Sequence, residues 1–150
     1  MALSWRDGPW VADTSAWARA SHPDVAPQWK AAAHAGDLIG CPVVTLELLH
    51  DARNRDRVEA VATALAGLRQ APITRSVTDA AISSIRELAA QGAAGAHRVR
   101  VADALIAAAA AERGFAVLHC DQHFDRLATV LNFASQWVTE AGGTSHLKKN

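Results

Sequence analysis

Short apolar runs alternate along the chain with longer stretches of helical periodicity. The apolar runs predict strands at Trp10 to Asp13, Leu38 to Cys41, Ala116 to Cys120 and Ala134 to Val138, and a further short strand near Pro72 to Thr74. Strands joined by helical stretches are typical of parallel βαβ units with helices on both faces of the sheet. The pattern therefore predicts a three-layer α/β/α fold around a mainly parallel sheet of about four or five strands.

Capping residues and apolar spacings of three and four predict the helices. Thr14 or Ser15 is expected to cap the first helix, and Pro23 with Asp24 suits the first turn of the second. The predicted helices after the first are Pro23 to about His34, Val44 to Asp51, Arg57 to Leu68, Thr78 to Gln91, Val101 to Arg113, and a short one after Asp121 through about Val130. The helix from Val101 is apolar nearly all round, so it is expected to lie deep in the molecule.

Length and charge limit the classes of protein to consider. With 150 residues, half of them hydrophobic, the chain is expected to form one domain over residues 1–150. Its 15 Lys and Arg residues balance 15 Asp and Glu residues, so no global positive field attracts nucleic acid. This argues against a promiscuous nucleic-acid coat protein, and any RNA binding must use local patches.

The cysteines and the N-terminal residues indicate the cellular compartment. Cys41 and Cys120 lie inside apolar segments and are expected to be reduced core residues. The N-terminal residues carry charge and a Gly-Pro break instead of a signal peptide, and no window has the length of a membrane span. A cytoplasmic protein is therefore expected, with a loose polar end from Gly142 onward.

Four carboxylates stand close to predicted strand ends or helix starts: Asp13, Glu47, Asp103 and Asp121. Asp13 and Asp121 follow strands directly, whereas Glu47 and Asp103 are expected to project inward from helices. Sites in open parallel sheets form outside the carboxyl ends of the strands, so the four acids are expected to converge there. Crowded carboxylates repel one another unless a cation neutralises them, and an oxygen-rich site suits Mg²⁺ or Mn²⁺. The set predicts metal-dependent phosphoryl chemistry, although each acid alone is more often a helix cap or a solvated residue.

With these residues in view, the chain resembles the PIN-domain ribonucleases, specifically the VapC toxins of bacterial toxin-antitoxin pairs. The matching segments, in the family's order and approximate spacing, are VADTSAW at 11–17, TLELLH at 45–50, RVADALIAAAAAERG at 100–114 and VLHCDQHFDRLA at 117–128. The resemblance implies a PIN domain with Asp13, Glu47, Asp103 and Asp121 as catalytic residues. Two positions differ from many relatives, because His123 stands where they have Asp and His119 where they have Thr.

The resemblance also implies a division of roles. Asp13, Asp103 and Asp121 are expected to hold Mg²⁺ or Mn²⁺, while Glu47 positions or deprotonates the attacking water. The expected products carry a 5'-phosphate and a 3'-hydroxyl. The expected substrate is structured RNA of the translation machinery, a transfer RNA or a ribosomal RNA loop.

Basic residues near the acids are candidates for contacts with RNA phosphates. Arg98, Arg100 and His123 are the candidate substrate-binding residues, with His97 beside them. The run Arg53, Arg55 and Arg57 is either such a patch or ordinary solvated surface. For His119 and His123, a buried hydrogen-bonded imidazole is favoured over contact with metal or substrate.

Trp17 and Trp29 are candidates for a groove that receives a partner peptide, with core packing as the other explanation. The resemblance implies that this partner is a VapB-like antitoxin, whose C-terminal segment would cover the acidic pocket and place a basic side chain in it. It also implies a homodimer.

Three alternatives remain at the level of sequence. One is a PIN-type nuclease that acts in RNA processing or DNA metabolism outside any toxin pair. Another is a non-catalytic α/β binding module, for which missing acids would be the sign. The third is a flavodoxin-like or Rossmann nucleotide binder, which is disfavoured because TSAWA after Asp13 contains no Gly-rich phosphate loop.

Overall fold

A central parallel sheet organises the chain. The computed structural model describes residues 5–140, so the predicted loose end from Gly142 lies outside the described residues. The strands are β1 (Trp10–Ala12), β2 (Leu38–Ile39), β3 (Ala116–His119) and β4 (Ser135–Trp137). They lie in the order β2-β1-β3-β4, and every neighbouring pair is parallel. The predicted α/β class and mainly parallel sheet are confirmed, with four strands in the described sheet.

In the part of the chain that the structure describes, seven helices connect and cover the strands. They are α1 (Thr14–Trp17), α2 (Ala26–His34), α3 (Pro42–His50), α4 (Arg55–Ala66), α5 (Arg75–Ala90), α6 (Val101–Arg113) and α7 (His123–Leu127). The predicted bounds of α6 are those observed, and Gly114 ends this helix with a φ of 71°, a left-handed conformation that costs glycine little. No helix in residues 5–140 combines the length and apolarity that crossing a bilayer requires.

Side chains that alternate along the strands build two separate cores. Val11, Ile39 and Val117 contribute to one core, together with residues of α3, α5, α6 and α7. Trp10 and Leu118 contribute to the other, against α1 and α2. Because successive strand side chains point to opposite faces, these two cores are the two interfaces of a three-layer α/β/α arrangement.

The predicted strand near Pro72 to Thr74 is wrong. The chain instead makes one isolated parallel bridge between Gly40 and Gln70 beside β2, with the Ala71 N–H donating to the Gly40 carbonyl at 2.8 Å. Thr74 is the N-cap of α5, and its hydroxyl accepts the Val77 N–H. The N-cap residue of a helix has extended backbone, so a short segment that leads into an N-cap is easily mistaken for a strand in the sequence.

Several helix starts also differ from the predictions. The helices α3, α4 and α5 begin two or three residues before the predicted Val44, Arg57 and Thr78, at Pro42, Arg55 and Arg75. The second helix begins at Ala26 and not at Pro23, because the intervening residues form turns. The first helix is capped by Asp13, and neither Thr14 nor Ser15 is the cap. A carboxylate accepts the unpaired backbone N–H groups of a helix start as well as a hydroxyl does, so the residue types alone do not distinguish Asp13 from Thr14 or Ser15 as the cap.

Candidate active site

Asp13 lies at the carboxyl end of β1, where the chain turns into α1. Its side chain is 1% exposed, and Oδ2 accepts the backbone N–H of Ser15 at 3.1 Å and the Ser15 hydroxyl at 2.6 Å. The same hydroxyl oxygen accepts the backbone N–H of Cys120 at 2.9 Å. Ser15 therefore ties the end of β3 to Asp13, a role that its sequence position after a predicted strand did not reveal.

Arg100 connects Glu47 and Asp103. Its Nη2 donates to Glu47 Oε2 at 2.8 Å, and its Nη1 lies 3.9 Å from Asp103 Oδ1. The hydrogen bond to Glu47 raises the pKa of the Arg100 guanidinium. The contact brings together α3, which carries Glu47, and the first turn of α6, which carries Asp103.

His123 connects Asp103 and Asp121. The His123 backbone N–H donates to Asp121 Oδ1 at 2.9 Å, which fixes the carboxylate at the start of α7. The ring Nδ1 lies 3.0 Å from Asp103 Oδ2 and 3.7 Å from Asp121 Oδ1. His123 therefore belongs to the acidic site itself, and among residues 5–140 the ligand atoms that lie within 4.8 Å of one another belong to Asp103, Asp121 and His123. Glu47 reaches this group through Arg100, and Asp13 lies near enough for its charge to act on Asp103, but neither is part of the close group.

Burial and neighbouring charges raise the pKa values of Asp13 and Asp103. Burial raises the pKa of Asp103 to about 6, and the neighbouring charge of Asp13 adds to this effect. Burial also raises the pKa of Asp13, and the charge of Glu47 contributes in the same direction. Carboxylates that are crowded in this way are costly to ionise together without a cation.

Unpartnered oxygens provide a test of whether a metal fits. Asp13 Oδ1, Glu47 Oε1 and Asp103 Oδ1 are buried and have no hydrogen-bond partner among residues 5–140. Buried carboxylate oxygens are normally satisfied, and oxygen donors of this kind are the ligands of Mg²⁺, Ca²⁺ and Mn²⁺. The donor set therefore fits a divalent cation.

His119 stands behind the site in a hydrogen-bond chain. It is fully buried, and its Nδ1 accepts the backbone N–H of Asp121 at 3.1 Å. Its Nε2 lies 2.6 Å from the Ser135 hydroxyl, which donates to Asp125 Oδ1 at 2.6 Å. Trp137 Nε1 donates to the other oxygen of Asp125 at 2.8 Å. Since Nδ1 accepts, Nε2 carries the proton, and this fixes the tautomer of the ring.

Burial lowers the pKa of His119 to about 4, so the ring is neutral near pH 7. His119 is thus the buried hydrogen-bonded imidazole of the two alternatives weighed from sequence. Asp125 and Ser135 were missed because no motif marks them, and they meet His119 only through the fold.

A groove of about 650 Å³ opens beside the site. Its walls come from α1, from the end of α3 and from α4, and they include Trp17, Leu48 and Val61. Trp29 is not among the residues that line it. Trp29 is 8% exposed and packs edge-on against Trp17 at a ring-centroid distance of 4.8 Å, so its assignment to a partner groove is wrong.

The remaining basic candidates divide by position. Arg53 and Arg57 line the groove, whereas Arg55 is an exposed residue at the start of α4. His97 and Arg98 are exposed in the segment before α6. Within residues 5–140, Arg98 forms no ion pair with any of the four acids, so only Arg100 joins the acidic cluster directly.

The sequence matches the family model of the PIN domain over residues 11–130. Ribonuclease VapC18 of Mycobacterium tuberculosis is 38% identical over 132 residues, which cover 87% of this chain and 95% of the relative. Ribonuclease VapC51 of the same organism is 34% identical over 133 residues, with 89% and 95% coverage. The range of the family match includes Asp13, Glu47, Asp103 and Asp121.

Solved structures show the same fold. VapBC2 from Rickettsia felis, bound to a DNA fragment from their promoter, superposes with a TM-score of 0.66 at 15% identity, covering 85% of this chain and 97% of that one. DNA-bound VapBC from Salmonella typhimurium gives 0.62 at 15% identity, with 86% and 97% coverage. The family match over residues 11–130, together with this fold, places the chain in the PIN class of domains. The chain belongs to the PIN domain family and, within it, to the VapC ribonucleases.

Proposed function

We propose that the protein is the toxin of a VapBC-type pair and acts as a Mg²⁺- or Mn²⁺-dependent endoribonuclease. The observation that carries this proposal is the convergence of Asp13, Glu47, Asp103 and Asp121, with one buried and unpartnered oxygen on each of the first three. Relatives named as ribonucleases, at up to 38% identity, support the class of reaction. The proposed substrate is structured RNA of the translation machinery, a transfer RNA or a ribosomal RNA.

In this proposal Asp13, Asp103 and Asp121 hold the cation. A cation held there would supply a water of lowered pKa and would make the phosphate a better electrophile. The second oxygen of Glu47 accepts a proton from the attacking water, while Arg100 holds the first oxygen and orients the carboxylate. The new bond joins the water oxygen to phosphorus, and the bond to the 3'-oxygen breaks. The 3'-oxygen takes a proton from solvent, and Glu47 returns its proton to solvent. The products carry a 5'-phosphate and a 3'-hydroxyl.

RNA approaches this site across a surface that carries cationic side chains. Arg100 is half-exposed even while it contacts Glu47, so one face of its guanidinium remains available to a phosphate. We assign Arg98 and Arg100 to phosphate contacts, Arg98 from the exposed segment before α6. Contacts of this type fix the position of RNA without reading its bases, so the shape of the RNA would select the target.

A VapB-like antitoxin is the proposed partner, and the groove beside the site is its proposed binding surface. Trp17 and Leu48 give the groove an apolar wall, and Arg53 and Arg57 add positive charge. This combination suits an amphipathic peptide with acidic side chains. Because α1 begins directly after Asp13, a peptide in the groove would end beside the acids and could place a basic side chain among them.

We also propose a homodimer. Leu46, Ile82 and Val101 are exposed large apolar side chains, at 67%, 56% and 77%. Leu46 precedes Glu47 on α3, and Val101 follows Arg100 at the start of α6, so both border the acidic site. Exposed apolar side chains of this kind are typical of protein interfaces. Light scattering of the purified chain tests this, and a monomer at high concentration would contradict it.

Expression with and without the candidate antitoxin tests the function. The wild-type protein should stop growth and create new RNA 5' ends, and co-expressed antitoxin should suppress both effects. Asp13→Ala should do neither while it accumulates to the same level. New RNA ends without growth arrest would indicate a nuclease outside a toxin pair. Identical RNA ends in the wild type and in Asp13→Ala would contradict the nuclease assignment.

A further inference from the structure

His123 offers a nitrogen to a site that is otherwise built from oxygens. Its Nδ1 lies 3.0 Å from Asp103 Oδ2 and 3.7 Å from Asp121 Oδ1. One ligand atom from each of these three residues lies within 4.8 Å of the other two. His123 is partly buried at the start of α7, and Asp103 is fully buried in the first turn of α6.

These separations are those of ligands that share one cation. With bonds of ~2.1 Å, neighbouring ligands of an octahedral ion lie about 3.0 Å apart and opposite ligands about 4.2 Å apart. The distance from Nδ1 to Asp103 has the first value, and the distance from Nδ1 to Asp121 lies between the two. Oδ1, the second oxygen of the fully buried Asp103, has no hydrogen-bond partner in residues 5–140.

The hydrogen bonds of Nδ1 show what a cation would displace. The backbone N–H of Arg100 lies 3.2 Å from this nitrogen and donates to its lone pair. The same nitrogen must carry a proton in order to donate to Asp103 Oδ2 at 3.0 Å, so the two contacts demand opposite roles. Because a ring nitrogen has one lone pair in its plane, a cation bound to Nδ1 would take the place of the Arg100 N–H and would bind Asp103 Oδ2 as well.

We propose that His123 is a metal ligand, which with Asp103 and Asp121 forms a mixed nitrogen and oxygen site that favours Mn²⁺ over Mg²⁺. The inference rests on the proposed metal-dependent function and adds the identity of the ligand atom. Mg²⁺ is a hard ion that prefers oxygen and gives up its waters reluctantly, whereas imidazole nitrogen is a ligand of transition metals. Asp at this position would supply a third carboxylate, so the histidine changes the metal preference of this particular chain.

Pulsed electron paramagnetic resonance of the purified full-length protein loaded with Mn²⁺ tests the ligand directly. The wild type should show the coupling of the manganese electrons to an imidazole ¹⁴N nucleus, and His123→Asp should lose it. His50→Gln is the matched control, because His50 is an 87% exposed residue at the end of α3 and its loss should leave the coupling intact. If His123→Asp does not fold, His123→Asn replaces it, because the amide oxygen keeps a ligand of similar size without the ring nitrogen.

Calorimetric titration with Mn²⁺ alone and with Mg²⁺ alone gives the preference. The dissociation constant for Mg²⁺ divided by that for Mn²⁺ should fall about tenfold from the wild type to His123→Asp, and this ratio should not change in His50→Gln. Wild-type protein without nitrogen coupling, or coupling that persists in both His123 variants, would overturn the proposal. An unchanged ratio would also overturn it. RNA cleavage is measured separately, so that the ligand role of His123 and the ribonuclease function are tested independently. If the protein cleaves RNA but shows no nitrogen coupling, the ribonuclease proposal stands and only the ligand role of His123 is wrong.

Discussion

The backbone N–H of Asp121 donates to Nδ1 of His119 at 3.1 Å. The fully buried ring at the end of β3 therefore fixes the backbone of Asp121, one of the four acids. Behind the ring, Nε2–H donates to the Ser135 hydroxyl, which in turn donates to Asp125 Oδ1. Each member fixes the orientation of the next. His119 is therefore a positioning residue for Asp121, although it does not touch the proposed cation.

His119→Ala should weaken both folding and catalysis. The variant leaves the Asp121 N–H and the Ser135 hydroxyl without their partner, which should cost about 1–3 kcal/mol of unfolding free energy. Because Asp121 loses its fixed backbone, kcat for RNA cleavage should fall while KM changes little. Denaturant unfolding and steady-state kinetics check the two effects. Ser135→Ala is the graded control, since it removes the partner of Nε2 but leaves the contact between His119 and the Asp121 N–H. A wild-type kcat in His119→Ala would contradict the positioning role.

Arg100→Ala should raise KM for RNA by about tenfold, the effect expected for one charge-assisted hydrogen bond. It should also lower kcat, because Glu47 loses the partner at 2.8 Å that orients it. Arg86→Ala removes the same charge from an exposed position on α5 and should leave both constants near wild type. Arg100→Lys should restore part of the KM effect. Equal kinetics for the Arg100 and Arg86 variants would show that only net charge matters.

Asp103→Asn should stabilise the metal-free protein, with a gain that grows as pH rises. The folded-state pKa of Asp103 is about 6 against an ordinary 3.8, so the fold binds this proton more tightly than the unfolded chain does. The resulting stability is complete below the unfolded pKa and is lost as pH rises through about 6. The variant should exceed the wild type by on the order of 2 kcal/mol near neutral pH in EDTA.

Denaturant unfolding in EDTA at several pH values measures this difference. Asp7→Asn makes the same chemical change at an exposed position and serves as the control. Adding Mn²⁺ should remove the advantage of Asp103→Asn, because the cation stabilises only the ionised site. A gain that does not depend on pH would contradict the assigned cost of the crowded carboxylates.

Val61→Asp should weaken the complex with the antitoxin without weakening RNA cleavage by the free protein. Val61 lies in the groove wall on α4, and a carboxylate there would be buried against an apolar peptide face. The expected loss of affinity is at least about tenfold. Calorimetric titration with the antitoxin measures it, and Val58→Asp, on the same helix but outside the groove lining, is the control. Equal affinity of the two variants would place the partner elsewhere.

Local patterns predicted the elements that depend on local interactions. The bounds of α6 follow from an apolar stretch closed by Gly114, and the acids at the ends of β1 and β3 follow from the rule for parallel sheets. Contacts between distant segments could not be predicted in this way. Trp29 is buried because α1 places Trp17 against it, and the chain from His119 to Ser135 forms only once β3 and β4 are paired.

Cleavage of a defined RNA by the purified protein, with Mg²⁺ or Mn²⁺ or with EDTA, tests the central claim most directly. The wild type should cleave only with the divalent ion and leave 5'-phosphate ends, and Asp103→Asn should fold normally but cleave at least about a hundredfold more slowly. Cleavage at the wild-type rate in EDTA or by Asp103→Asn would contradict the claim that these carboxylates hold a catalytic metal.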